Sequence, residues 1–295
     1  MTAATPVLDA IRAHARARPD HPALCTDRGG ATEAISYAEL VARFDAGAAR
    51  LRQAGLERGA RCGLVARQSA GFVEHALAIL AAGGCLVPIP DDAAGPARER
   101  FADAAQLQHL VAEEDGFACR PWGGSLREET AFRALDPAYL RFTSGTTSER
   151  KGVVLSHARI AERLTAANAA LAIGPDDRIL WLLPMAHHFV VSILLYLRHG
   201  ATILLPAGSL ARPVLEFAAR ERATVSYASP FHYSLLAKDA SGIALDLRLA
   251  ISTAEGLRAE VAASFRARFG RALAQALGII EVGLPVLNAA AARPR

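Results

Sequence analysis

Residues 62–89 read CGLVARQSAGFVEHALAILAAGGCLVPI. Cys62 to Ala66 is a short, continuously apolar run of strand length. Gly71 to Ala82 carries a helical period, and Cys85 to Ile89 is a second apolar run. Apolar strands with no polar alternation are buried on both faces, so this strand–helix–strand rhythm points to parallel sheet covered by helices. The rhythm extends in both directions. Upstream, Tyr37 to Leu51 places Leu40, Val41, Phe44, Ala48 and Leu51 on one helical face, with Ser36 as the predicted N-cap. Downstream, strands are predicted at Ile179 to Leu183, Ala201 to Leu205, Thr224 to Ala228 and Leu247 to Ser252. Helices are predicted between and after them at Val190 to Leu197, Pro213 to Arg222 and Leu257 to Phe269. The fold class is α/β, with two sheet-bearing subdomains expected at about residues 1–173 and 174–295. Gly174 to Arg178 (GPDDR) is the turn between them, in which Asp176 and Asp177 read as turn formers. Asp115 to Asp136 is poor in apolar period and reads as a surface excursion.

The chain has 295 residues, is 52% hydrophobic and carries a net charge of +4. It can bury a sizeable core, and its scattered basic residues make a nucleic-acid or membrane partner a poor fit. Cys25, Cys62, Cys85 and Cys119 follow neither a disulfide framework nor a zinc pattern, and read as buried free thiols in a reducing compartment. Met1 to Pro19 contain no apolar run followed by a cleavage site, so a secretion signal is not expected. The most apolar stretch, Ile179 to Leu197, is broken by Pro184, His187 and His188, so a membrane span is not expected. A cytoplasmic location is expected.

The densest chemical signal is Tyr139 to His157, YLRFTSGTTSERKGVVLSH. A strand enters six consecutive hydroxyl or glycine residues, passes a lysine and leaves as another strand. Gly145 and Gly152 permit close wrapping of the main chain. Successive N–H groups, hydroxyls of Thr143, Ser144, Thr146, Thr147 and Ser148, and the Lys151 charge would suit a phosphate. The competing reading of the same composition is a solvated hairpin turn. A Walker-type loop is excluded by spacing, because Arg150 stands where the second glycine belongs and Gly152 where Ser or Thr belongs.

FTSGTTSERKGV resembles the [YF]TSGTTGxPKG signature of the adenylate-forming (AMP-binding) superfamily, which includes acyl-CoA synthetases, peptide-synthetase adenylation domains and luciferases. Ser148 and Arg150 depart from it. Further segments are similar to the family's N-terminal part: Ser36 to Leu40, Gly55 to Val65, Ala78 to Pro88, Leu183 to His187 (LPMAH), Ile251 to Leu257 with Thr253 in place of a glycine, and Leu277 to Glu281 (LGIIE). The resemblance implies an acid–AMP ligase of acyl or aryl type that uses ATP and Mg. In it, Thr143, Ser144, Gly145, Thr146, Thr147 and Lys151 would hold phosphates, Glu281 the metal, and His187 the acyl site, with Lys151 and Glu281 the catalytic pair. Leu277 and Ile280 replace the family's Tyr and Thr, which removes one phosphate contact worth about 1.5–3 kcal/mol.

The resemblance also implies a carboxylic acid substrate and a thiol acceptor, coenzyme A or a carrier protein. Amino-acid-activating relatives place an Asp shortly after the segment matching Leu183 to His187. Here His188, Phe189, Val190, Val191 and Ser192 contain no acid, so a fatty or aromatic acid is expected. The family's later Y-x-T-G-D motif and small C-terminal domain have no counterpart, so the chain is expected to be weak or inactive alone. A truncated product, a half with a separately encoded C-terminal partner, and a non-catalytic nucleotide- or acyl-binding relative remain open explanations. An α/β hydrolase is disfavoured by the lack of a G-x-S-x-G elbow.

Overall fold

The computed structural model describes residues 5–91, 95–142, 152–279 and 283–288. The chain divides into two compact units, each built on its own sheet. One comprises Met1–Pro19, Tyr37–Glu162 and Met185–Val190; the other comprises Asp20–Ser36, Arg163–Pro184 and Val191–Arg295.

The first unit carries six strands in the order Cys119–Pro121, His109–Ala112, Arg61–Val65, Cys85–Ile89, Pro137–Phe142 and Gly152–Ser156. The four inner strands run parallel, and each outer strand pairs antiparallel with its neighbour. The helix predicted from 71 spans Ala70–Ala82. It starts because Ser69 Oγ accepts the Phe72 N–H at 3.3 Å, and it stops because Gly83 takes a left-handed conformation at φ 91°. Its apolar residues are buried almost all round, including Phe72, Val73, Leu77 and Ile79, as a helix between a sheet and a second helix requires. That second helix is Tyr37–Gln53. Gly47 lets the two approach closely, since a Cβ there would lie 2.8 Å from Ala78 Cβ.

Residues 115–136 are more than a surface excursion. They contain the edge strand Cys119–Pro121 and the helix Glu129–Ala134, which buries Phe132. Glu129 meets the fully buried Arg61 through paired contacts of 3.0 and 3.1 Å, and the Arg61 guanidinium lies 5.0 Å from the Phe132 ring centre. Burial alone would raise the Glu129 carboxyl, but hydrogen bonds and charge from Arg61 hold it below the ordinary range.

The second unit carries eight strands in the order Gly283–Asn288, Leu273–Ile279, Leu249–Ser252, Val225–Ala228, Arg178–Trp181, Thr202–Leu205, Pro22–Arg28 and Ala31–Ser36. Here too the inner strands are parallel and the outermost on each side antiparallel. The expectation of parallel sheet thus holds for both interiors and fails at all four edges, where hairpins replace helical crossovers. One such hairpin, residues 22–36, turns at Gly29 and Gly30 with φ of 68° and 104°, and its first strand pairs Leu24 with Ile203. Phe217, Tyr233 and Phe265 anchor the core on one face of this sheet. The helix expected from Val190 begins instead as a π-helical turn, Phe189–Ile193, and becomes α-helical over Leu194–Arg198.

Asp177 does more than form a turn. It is buried, accepts the Gly174 N–H at 3.0 Å and the Thr224 hydroxyl at 2.9 Å, and meets Arg248 twice at 2.6 Å.

Candidate functional site

In the first unit, the strand Pro137–Phe142 leads into residues 143–151 and the strand Gly152–Ser156 leads out. The two strands pair with Phe142 opposite Gly152. Thr143, Ser144, Gly145, Thr146, Thr147 and Lys151 lie outside the described residues. Their two flanks are therefore neighbouring strand ends, about 5 Å apart in an antiparallel ladder.

His187 is described, half-buried at the end of the short helix Met185–His188. Arg141, two residues before Thr143, donates to the His187 carbonyl at 2.6 Å and to its ring Nδ1 at 3.1 Å. A guanidinium can only donate, so Nδ1 is the acceptor and the ring proton sits on Nε2. This contact ties the LPMAH segment to the strand that enters the hydroxyl-rich stretch. Its neighbour His188 has its pKa pushed down to about 3, first by burial and then by the charge of Arg141. Sequence reasoning overlooked Arg141, although a charged residue in an otherwise apolar strand, one step from the loop, was a visible signal.

In the second unit, the chain runs from Arg178–Trp181 to Thr202–Leu205 on one side, then crosses back to Val225–Ala228 on the other. Such a reversal opens a crevice at the carboxyl ends of the strands, where open α/β sheets bind ligands. Buried polar side chains collect at that end: Ser192, Ser229, Ser252 and Thr253. The Tyr227 hydroxyl hydrogen-bonds with Ser192 and Thr253, and the Thr253 hydroxyl donates to the Ala276 carbonyl at 2.9 Å. Ser252 Oγ is buried without a hydrogen-bond partner among the described residues. Ala254 follows at φ 75°, a left-handed conformation that suits glycine. Leu277 is 52% exposed near the carboxyl end of Leu273–Ile279. Ile280 and Glu281 lie outside the described residues.

Among the described residues no group of three or more His, Cys, Asp or Glu side chains is arranged to hold a metal ion. No described helix is long and apolar enough to cross a membrane. Of the four cysteines, Cys25, Cys62 and Cys85 are buried as expected, but Cys119 is only partly so. An edge strand has solvent on one flank, and a strand of three residues has little to cover it.

The family described as AMP-binding enzyme matches residues 11–295. The nonribosomal peptide synthetase ivoA of Emericella nidulans is 28% identical over 244 residues, covering 75% of this chain and 14% of that protein. The 4-coumarate–CoA ligase 3 of Arabidopsis thaliana is 36% identical over 163 residues, covering 52% of this chain and 29% of that protein. The fatty acid AMP ligase from Legionella pneumophila shares the fold with a TM-score of 0.81 at 22% identity, covering 95% of this chain and 56% of that one. The chain therefore spans less than a third of the length of these two curated relatives.

Proposed function

Because the chain belongs to the AMP-binding enzyme family, we propose that it serves the ATP-dependent activation of a fatty or aromatic carboxylic acid to an acyl adenylate, for transfer to a coenzyme A or carrier-protein thiol. The carrying observation is the pairing of Phe142 with Gly152, which brackets the hydroxyl- and glycine-rich run and Lys151 between adjacent strand ends. A segment closed at its base in this way can present several N–H groups and hydroxyls to one anion. The carboxylate attacks the α-phosphorus and pyrophosphate leaves, a reaction governed by positioning and charge neutralisation. Thr143, Ser144, Thr146, Thr147 and Lys151 would receive the departing phosphates. A magnesium ion on Glu281 would supply charge neutralisation there.

The acid preference rests on Phe189 and Val190, which are buried and apolar, and on the lack of a carboxylate in residues 188–192. A desolvated substrate ammonium would have no partner in that segment. The test is ATP–pyrophosphate exchange by the 295-residue chain with fatty and aromatic acids. Slow exchange that depends on the acid is expected, and Lys151→Ala should lower ATP affinity at least tenfold more than Lys238→Ala. Equal effects of the two substitutions would discard the phosphate-loop reading.

A second reading, a nucleotide- or acyl-binding relative without catalysis, is favoured by Leu277 and Ile280, which offer no hydroxyl or aromatic ring. Its signature is ATP binding that no acid converts into exchange. Ile280→Thr separates the two. Where catalysis persists, a regained hydrogen bond to a charged phosphate, worth about 1.5–3 kcal/mol, should speed exchange by about tenfold or more.

A further inference from the structure

On the far edge of the six-stranded sheet, three strands bring two thiols and an imidazole together. Cys62 lies opposite His109 in the parallel pair, and Cys119 lies opposite Val111 in the antiparallel edge pair. Side chains alternate along a strand, so His109 and Val111 share a face, and with them Cys62 and Cys119. Cys119 Sγ is 3.7 Å from His109 Nδ1. Cys62 is fully buried, whereas Cys119 is partly exposed. The nearest charged neighbour in the edge strand, Arg120, is engaged with Asp115 at 3.4 Å and stacks on Trp122. Nothing in the proposed acid-activating chemistry uses this group of residues.

We propose that Cys119, flanked by His109 and the Cys62 thiol, is a thiol–disulfide exchange site that takes small-molecule disulfides such as oxidised glutathione. The Cys119 thiolate attacks one sulfur of the disulfide. A new Sγ–S bond forms as the old S–S bond breaks, and the second glutathione departs as a thiolate that takes up a proton from water. The Cys119 sulfur is oxidised and the departing sulfur reduced, so no other oxidant is required. The arrangement supports the attacking form. The Cys119 pKa is lowered to about 5, chiefly by its interaction with Cys62 and further by the His109 imidazole 3.7 Å away, against the opposing effect of burial. The same interaction, and then burial, keep Cys62 a thiol, with its pKa well above the ordinary value.

The adduct should persist until an external thiol removes it. Cys62 and Cys119 lie two strands apart, roughly 9–10 Å between backbones, beyond the 7 Å or so an internal disulfide tolerates. Cys62 therefore tunes the reacting sulfur and does not resolve it.

The test compares the intact chain with an unstructured cysteine peptide, both exposed to oxidised glutathione at pH 6 and followed by peptide mass spectrometry. A thiol with a pKa near 5 holds about 300 times more thiolate at that pH than one near 8.5, but each thiolate is less nucleophilic. The two effects leave an expected advantage of about tenfold, reversible by dithiothreitol and confined to Cys119. His109→Asn and Cys62→Ala should each erode it. Reaction no faster than the peptide's overturns the proposal, as does labelling of Cys25, Cys62 or Cys85 at a similar rate. An advantage that survives both substitutions also overturns it. Circular dichroism checks the variants, and the comparison of the unsubstituted chain with the peptide decides the matter even if a variant misfolds.

Discussion

The two ends of the eight-stranded sheet are furnished differently. At the amino ends of the parallel strands, charged groups are locked together. Asp177 joins Gly174, Thr224 and Arg248, and the Arg178 guanidinium meets the Glu221 carboxylate at 2.6 Å. The Thr202 hydroxyl donates to the Pro22 carbonyl at 2.7 Å, closing the network onto the strand Pro22–Arg28. At the carboxyl ends the buried polar groups are neutral hydroxyls, one of them without a partner among the described residues, and the backbone at Ala254 is strained. Satisfied charges stabilise a fold and resist rearrangement. Spare hydroxyls and unusual backbone angles are tolerated where a ligand uses them. The contrast is what a structural role for one end of the sheet and a ligand-binding role for the other would produce.

The largest expected effect breaks the amino end. Asp177→Ala removes the acceptor shared by the Gly174 N–H, the Thr224 hydroxyl and the partly exposed Arg248 guanidinium, and should destabilise this unit by about 1.5–3 kcal/mol in urea unfolding followed through Trp181. The same residue carries a pH signature. Burial alone would raise its carboxyl, but Arg248 and the Gly174 and Thr224 donors hold it below the ordinary 3.8. A depressed folded-state value means that the carboxylate stabilises fully above pH about 4, and that this stability is lost as pH falls through the lower folded value. The stability gap between Asp177→Asn and the unsubstituted chain should therefore be constant near neutrality and close on acidification. A gap independent of pH down to 2 would show that the charge of Asp177 contributes nothing.

A smaller effect, of opposite sign, is expected at the carboxyl end. Ser252→Ala removes a buried hydroxyl that has no partner among the described residues, so stability should rise by about 1 kcal/mol while ATP affinity falls. A loss of stability would mean that the hydroxyl is already engaged within the fold, and the contrast between the two ends would weaken. The smallest effect is Ala254→Gly. Relief of a left-handed alanine is worth about 1–2 kcal/mol, and the greater freedom of glycine in the unfolded chain offsets up to about 1 kcal/mol of it. A net gain of about 0.5 kcal/mol in thermal unfolding is expected, and a net loss would remove strain from the account of this edge.

What could be read in advance follows the same physical division. Cys62 to Ile89 was legible because a helix and two strands buried on both faces leave local periods, and Cys85–Ile89 begins and ends where the pattern does. Asp177 was not, because a GPDDR turn looks alike whether its second acid faces water or a distant arginine. The pairing of Leu24 with Ile203 has no local trace, although Gly29-Gly30 between two strand-like runs was a hairpin signal open to reading. Arg141 and Cys119 share another cause. Their roles depend on partners from separate elements, His187 for one and Cys62 with His109 for the other, that only folding brings together. The hydroxyl-rich segment before Lys151 shows the converse case, since its expected chemistry comes from motif and composition alone.

The hairpin 22–36 has a consequence in time. Its strand partner Thr202–Leu205 is made roughly 180 residues later, so at about 5–20 residues per second the nascent hairpin waits roughly 10–35 s for it. The six strands of the other sheet all lie between residues 61 and 156 and can pair during that interval. Synthesis thus favours an order in which the sheet encoded in the middle of the chain forms first. The hairpin is translated earliest among the strands of either sheet, yet it can dock only after all six strands of the other sheet have been made.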